Sequence, residues 1–121
     1  MSCVSFKPDK PNIVVSSSYD ETIKTWDITS GSCLSTLTGH QGPVSSVHFS
    51  PDGTKPVSAS WGKTVSVWDP STGACLSRLR CDSRVFRVSW SPDGAKIAAG
   101  SDDKKVRIFD VASGALVGSP L

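Results

Sequence analysis

The chain repeats itself at intervals of 41 to 43 residues, and this self-similarity restricts its fold more than any other feature. Trp26, Trp68 and Phe109 are separated by 42 and 41 residues. Other residues recur at similar intervals: Phe6, Phe49 and Trp90; Asp27, Asp69 and Asp110; Gly31, Gly73 and Gly114. All 121 residues are therefore three copies of one unit.

Each copy consists of short segments with the chemistry of β-strands. Val65 and Val67 alternate with Ser66 and Trp68, and the segments are rich in Val, Ile, Thr and aromatic residues. Turn-forming runs such as Pro51-Asp52-Gly53 divide each copy into four strands, because proline presets φ and glycine accepts a positive φ. The predicted strands are 2–6, 13–18, 22–27, 32–37, 44–49, 56–60, 64–69, 74–79, 85–90, 96–101, 105–110 and 115–118. We expect an all-β chain without helices.

The composition is that of a small globular domain. With 37% hydrophobic and 20% charged residues, the chain can bury a core. Its net charge of +2, from 13 basic and 11 acidic residues, is too balanced to indicate a nucleic acid or an anionic membrane as partner. No apolar run approaches the roughly 20 residues of a membrane helix, and the N-terminus lacks the basic and then apolar order of a signal peptide. We expect a cytoplasmic or nuclear protein.

The cysteines and histidines do not form a metal-binding pattern. The four cysteines contain no C-x-x-C pair, and only His40 and His48 are available to complete a site. Cys33 and Cys75 occupy matching contexts, which is typical of strand residues that act as small hydrophobes. We therefore expect neither a metal nor another cofactor.

Several motifs resemble those of the WD-repeat β-propeller family. They are the Gly39-His40 pair, "FSPDG" at 49–53, "WSPDG" at 90–94, and "WD" at 26–27 and 68–69. The resemblance covers the whole chain. It implies a partial propeller of three four-stranded antiparallel blades, each with its first strand along a central channel, and a rigid platform that assembles other proteins without catalysis. The implied blades are residues 1–38, 39–80 and 81–121.

Members of that family staple each blade with a hydrogen-bond network, and the resemblance locates its parts here. The network joins a histidine before the first strand, a serine or threonine in the second, an aspartate in the next turn and a tryptophan in the third. The matching residues are Ser18, Asp20 and Trp26 in the first blade, His40, Ser60 and Trp68 in the second, and Ser101, Asp103 and Phe109 in the third. Gly62 occupies the aspartate position of the second blade, and the other two blades lack the histidine. We therefore expect modest stability.

The resemblance also implies a rim on which related propellers bind their partners. The implied rim residues are Tyr19, Pro43, Ser45, Trp61, Arg84, Phe86 and Asp102. Trp61 has two interpretations. On the rim it is a candidate hot spot, because buried aromatic residues dominate interface energies. Alternatively it folds over the turn and fills the volume of the missing aspartate, with Gly62 adopting a positive φ.

A hydrolase and a basic binding patch are both disfavoured. Serine, histidine and aspartate recur in register with the repeats, no G-x-S-x-G motif is present, and the only copy with a histidine lacks the aspartate. Arg78, Arg80, Arg84 and Arg87, with Phe86 among them, are able to bind an acidic peptide or a nucleic-acid backbone. Their alternation also fits a solvated outer edge, which we favour.

Three blades are too few to close a propeller, which typically needs roughly four to eight. An open arc exposes the apolar faces of its first and last sheets. The chain is therefore expected to be a piece of a longer propeller or a protomer that closes a ring with copies of itself, two chains giving six blades. Its function is either that of a scaffold whose rim binds a protein or peptide, or that of a structural unit whose main interaction is homo-oligomerisation.

Overall fold

Eleven antiparallel strands form three separate sheets in the computed structural model, which describes residues 3–121. The first sheet contains β1 (Cys3–Lys7), β2 (Lys10–Ser17), β3 (Ile23–Asp27) and β4 (Ser32–Leu37). The second contains β5 (Val44–Phe49), β6 (Pro56–Ser60), β7 (Thr64–Trp68) and β8 (Cys75–Arg80). The third contains β9 (Val85–Trp90), β10 (Lys96–Ser101) and β11 (Val106–Asp110). Within each sheet every strand pairs with the next one in sequence.

The all-β prediction is confirmed. Every strand bound lies within one residue of its predicted position, except that β2 begins three residues early. Residue 2, the predicted start of the first strand, lies outside the described residues. Over residues 3–121 the chain has no helix that is long and apolar enough to cross a membrane.

The predicted twelfth strand, at 115–118, does not form as a regular strand. Only an isolated bridge joins Leu116 to Phe109, so the third sheet has three strands. The segment still follows β11, because the amide of Leu121 donates to the carbonyl of Val106 at 2.8 Å. Gly118 has a φ of +67°, outside the strand region, and Pro120 has no amide hydrogen to donate. These two residues interrupt the ladder.

The apolar core lies between the sheets and has two parts. Leu37 and other residues of the first sheet pack against Phe49 and Trp68 of the second, and Val65 and its neighbours pack against the third sheet. The outward face of the first sheet has no such cover. Phe6 is 62% exposed, whereas Phe49, its equivalent in the second sheet, is 7% exposed.

A buried network in the second sheet joins His40 to the sheet, but through a different serine from the one expected. Nε2 of His40 lies 2.5 Å from Oγ of Ser58, and the indole nitrogen of Trp68 donates to the same oxygen at 2.8 Å. Nδ1 of His40 lies 3.1 Å from Oγ1 of Thr64. The assignment of Ser60 is wrong. Ser60 ends β6 at the turn, where its hydroxyl bonds the backbone, whereas the two rings meet over the middle of the strand.

The same correction applies to the first sheet. The indole nitrogen of Trp26 donates to Oγ of Ser16 at 2.9 Å, not to Ser18. Oγ of Ser18 accepts the amide of Asp20, and the Asp20 carboxylate accepts the amide and hydroxyl of Thr22. Ser18 and Asp20 therefore shape the turn, and Trp26 is bonded independently of them.

The third sheet has neither the donor nor the acceptor of this contact. Phe109 occupies the position of the tryptophan and Ala99 that of the serine, and both are buried. The hydroxyl of the predicted Ser101 donates to the carboxylate of Asp103, and both also accept bonds from Arg107, whose role the sequence analysis did not identify. This arginine is 4% exposed and donates to Ser101 and to Asp103, each at 2.7 Å. The ion pair holds the pKa of the Asp103 carboxyl well below its usual range.

We expect Ser58→Ala to lower the free energy of unfolding by about 2 kcal/mol, because it leaves the buried indole of Trp68 and the imidazole of His40 without their shared partner. Ser16→Ala is the matched control. It removes the acceptor of the half-buried Trp26 alone and should cost less than about 1 kcal/mol. Urea denaturation measures both, and equal losses would contradict the assignment of Ser58.

Acidification should destabilise the protein through His40. Burial, with a smaller effect of the nearby Arg78 charge, lowers the pKa of His40 from 6.5 to about 4. Between these values the unfolded chain binds more protons than the native one. The stabilisation that neutral His40 provides is therefore complete above pH 6.5 and is lost as the pH falls towards 4. We expect urea unfolding to show a loss of up to about 3 kcal/mol across this window. Burial also lowers the pKa of His48, and hydrogen bonds lower the pKa of several aspartates, so His40→Gln should retain a smaller slope due to these groups; an unchanged slope would refute the role of His40.

Candidate functional site

One end of the three sheets is formed by the turns after β2, β6 and β10, together with the residues that begin β5 and β9. Backbone bonds hold these segments side by side. The amide of Trp61 donates to the carbonyl of Pro43 at 3.0 Å, and that of Asp102 donates to the carbonyl of Arg84 at 2.8 Å. We call this end the rim, and it contains Tyr19, Pro43, Ser45, Trp61, Arg84, Phe86 and Asp102.

Three aromatic rings, one from each sheet, meet on the rim. The ring centroids of Tyr19 and Trp61 are 5.5 Å apart, and those of Trp61 and Phe86 are 6.2 Å apart at an angle of 80°. Both distances lie in the favourable range for aromatic pairs. Trp61 is thus the centre of an aromatic row that crosses all three sheets.

Arg84 lies across this row. Its guanidinium carbon is 5.3 Å from the centroid of Trp61 and 5.8 Å from that of Phe86. It also pairs with the Asp102 carboxylate at 3.0 Å, but both side chains are nearly half exposed, so the ion pair itself adds little stability. The guanidinium is therefore positioned chiefly by stacking on the two rings.

The position of Trp61 decides between its two interpretations. Its ring packs against residues of the rim, and it does not line the small hollow beside Gly62. Trp61 therefore does not fill the volume of the missing aspartate. The expected positive φ at Gly62 is also wrong, because the left-handed residue of the turn is Lys63, with a φ of 69°. Glu21 and Lys104 occupy the same turn position in the other sheets and share this conformation.

Pro43 and Ser45 contribute to the rim differently from the aromatic residues. Both are half-buried. The Ser45 hydroxyl donates to the carbonyl of Val85 at 2.7 Å and so ties β5 to β9. The structure thus brings Tyr19, Trp61 and Phe86 together with Arg84 and Asp102 as a continuous side-chain surface, while Pro43 and Ser45 contribute through their bonds to the backbone of Trp61 and Val85. We call those five residues the rim cluster.

A larger hollow of about 370 Å³ lies between the turns that follow β5 and β9. Its polar groups already serve the turns. The Asp52 carboxylate accepts bonds from the Ser50 hydroxyl and from the amide and hydroxyl of Thr54, which lower the pKa of Asp52 to about 2. Asp93 is held in the same way in the next turn. This arrangement explains the two "SPDG" motifs as turn structure.

The chain matches known repeats over most of its length. The family model described as "WD domain, G-beta repeat" matches residues 1–27, 31–69 and 73–110. The F-box-like/WD repeat-containing protein TBL1X of Mus musculus is 50% identical over 46 residues, which are 38% of this chain and 9% of that protein. The nuclear distribution protein PAC1 of Arthroderma otae is 46% identical over 46 residues, 38% of this chain and 10% of that protein.

The name of a third relative is that of a protein kinase. Mitogen-activated protein kinase kinase kinase A of Dictyostelium discoideum is 45% identical over 47 residues, which are 39% of this chain and 5% of that protein. The matched segments thus span a tenth or less of each of these three relatives. The three matched repeats, together with the two four-stranded sheets and the three-stranded sheet, show that the chain belongs to the WD-repeat family.

Proposed function

We propose that this chain is a non-catalytic scaffold whose rim cluster binds a protein or peptide partner. Proteins of the WD-repeat family generally act as interaction scaffolds. The observation that supports a site at the rim is the aromatic row with Arg84 stacked across it. Aromatic residues and arginine are the side chains most enriched among interface hot spots.

The rim cluster is also arranged in advance of binding. Tyr19 is 60% exposed, while Trp61 and Phe86 are half-buried by contacts with each other and with Arg84. Rings that are already held in place lose little side-chain entropy when a partner covers them. The exposed Arg84 and Asp102 add one charge of each sign, which favours a partner with polar groups around an apolar contact.

Catalysis has little support in the described geometry. His40 and Ser58 are in hydrogen-bond contact, but Ser58 is fully buried and already accepts the indole of Trp68. A nucleophile needs access to substrate and a base that is oriented by an acid. The partners of His40 are the hydroxyls of Ser58 and Thr64, and Gly62 supplies no carboxylate. This pair therefore acts as a structural contact.

Substitution of Trp61 tests the proposed function. A partner is first captured on the immobilised protein, and its affinity is then measured by calorimetry. Trp61→Ala should keep the fold and lose about 2 kcal/mol or more of binding free energy, because it removes the central ring of the row. Leu76→Ala is the matched control, since Leu76 is 49% exposed on β8, outside the rim. Equal affinity for Trp61→Ala and the unchanged protein would refute the rim as the binding site.

A second function, self-association into a closed ring, is favoured by the exposed faces of the end sheets. Val4 and Phe6 are 57% and 62% exposed on the first sheet, and Val106 is 40% exposed on the third. Apolar residues concentrated on one face are typical of surfaces that associate. A two-fold pair of chains would join the first sheet of one copy to the third sheet of the other.

Light scattering tests this association. We expect a particle of about twice the 12.8 kDa chain mass, since two copies would supply six sheets, within the usual propeller range. Phe6→Glu should return the protein to monomers, because it places a charge in the apolar interface between the two copies. Leu34→Glu on β4, where Leu34 is 53% exposed, should not do so. A folded monomer at micromolar concentration would contradict the second function and leave the rim proposal unaffected.

A further inference from the structure

The turn after β6 lacks a negative charge that the other two equivalent turns contain. Oδ1 of Asp20 accepts the amide of Thr22 at 3.1 Å, and Oδ1 of Asp103 accepts the amide of Lys105 at 3.2 Å. Gly62 stands at the same position of the second sheet. A polar hollow of about 20 Å³ remains beside it, at the surface of the protein.

The walls of this hollow carry positive charge and no carboxylate. Thr64, Arg78 and Arg80 line it together with Gly39, Gln41 and Gly62. Arg78 is held at the hollow by its donation to the carbonyl of Gly39 at 3.2 Å. Thr64 is 8% exposed, and its hydroxyl faces Nδ1 of the buried His40. Two arginines thus line the hollow beside the position at which the other sheets have an aspartate.

In the third sheet, carboxylates neutralise an arginine beside the equivalent turn. Arg107 is buried, and its guanidinium pairs with Asp103 at 2.7 Å and with Asp82 at 3.4 Å. One arginine there has two carboxylates, whereas Arg78 and Arg80 have none among the residues that line the hollow. The second sheet therefore has an unbalanced positive charge at the position of a missing aspartate.

The size of the hollow restricts what is able to enter it. About 20 Å³ admits a single water-sized atom. Two of its backbone walls are close together, since a Cβ on Gly62 would lie 3.1 Å from the backbone of Gln41. A chloride ion fits this space, as does a single oxygen of a carboxylate or of another oxyanion.

We propose that the hollow formed by Gly62, Thr64, Arg78 and Arg80 binds a small anion, a halide or a terminal carboxylate oxygen, in place of the turn aspartate. The anion accepts charge-assisted hydrogen bonds from the two arginines. It lies next to Thr64 and so extends the network of His40 and Ser58 to the surface. This site is independent of the rim cluster and of the proposed scaffold function.

Chloride-35 NMR tests the proposal directly on the whole chain. Binding broadens the chloride resonance in proportion to the protein-bound fraction, and formate, which presents one oxygen to the hollow, should compete with it at constant ionic strength. The relative affinities for chloride and formate distinguish a halide site from a carboxylate site. No broadening of the chloride resonance by the unchanged protein would overturn the proposal.

Substitutions of single arginines test whether chloride binds in the hollow. Arg78→Gln and Arg80→Gln should each weaken chloride binding about tenfold, the consequence of losing one charge-assisted hydrogen bond. Arg87→Gln is the matched control, because Arg87 is an exposed arginine on β9 that does not line the hollow. Near-ultraviolet circular dichroism verifies that each variant is folded. An Arg87→Gln effect as large as that of Arg78→Gln would show that the broadening reflects general surface charge and would refute the site.

Discussion

Contact between neighbouring sheets is the interaction on which the rest of this structure depends. The two cores lie between sheets, and the second sheet, covered on both faces, is the most completely buried. Every residue of β6 and β7 is buried, whereas β1 and β11 have exposed apolar side chains. Each sheet is therefore stabilised mainly by its nearest neighbours, as in other repeat proteins. The rim lies where the second sheet meets the other two, and the hollow lies within the second repeat.

The strands were predictable from the sequence because the repeat interval, the alternation of apolar and polar residues and the turn-forming runs indicate the same strand boundaries. Pro51-Asp52-Gly53 and its counterparts fix the turns, and the 42-residue interval transfers each boundary from one copy to the next. The prediction failed for the last strand, where the sequence "GSP" at 118–120 departs from the repeat. A glycine with positive φ and a proline without an amide hydrogen outweigh the periodic pattern there.

The candidate sites were predictable only in part, for reasons of geometry. The repeat register identified Tyr19 and Trp61 as equivalent turn residues and so brought them to one end of the sheets. It did not distinguish Ser58 from Ser60, because residues two apart on a strand share a face and both are serines. The available signal was the third copy, where Phe109 replaces the tryptophan and Ala99 replaces the serine ten residues before it, whereas Ser101 is retained. The signal for Arg107 was its place four residues after Asp103, which Lys24 also has after Asp20, whereas the second copy has Gly62 and Ser66 at these positions.

The replacement of serine and tryptophan by Ala99 and Phe109 in the third sheet has a consequence for how repeats diverge. If the serine of a bonded pair is lost first, a buried indole N–H is left without an acceptor. If the tryptophan is lost first, a hydroxyl remains that is able to rotate towards another acceptor. The two exchanges are thus coupled, and their order affects the cost of the intermediate. A repeat that has made both exchanges is again free of unsatisfied groups at this position. Reversion of Phe109 alone to tryptophan would again leave an indole N–H without an acceptor, and this cost favours the apolar version of the blade.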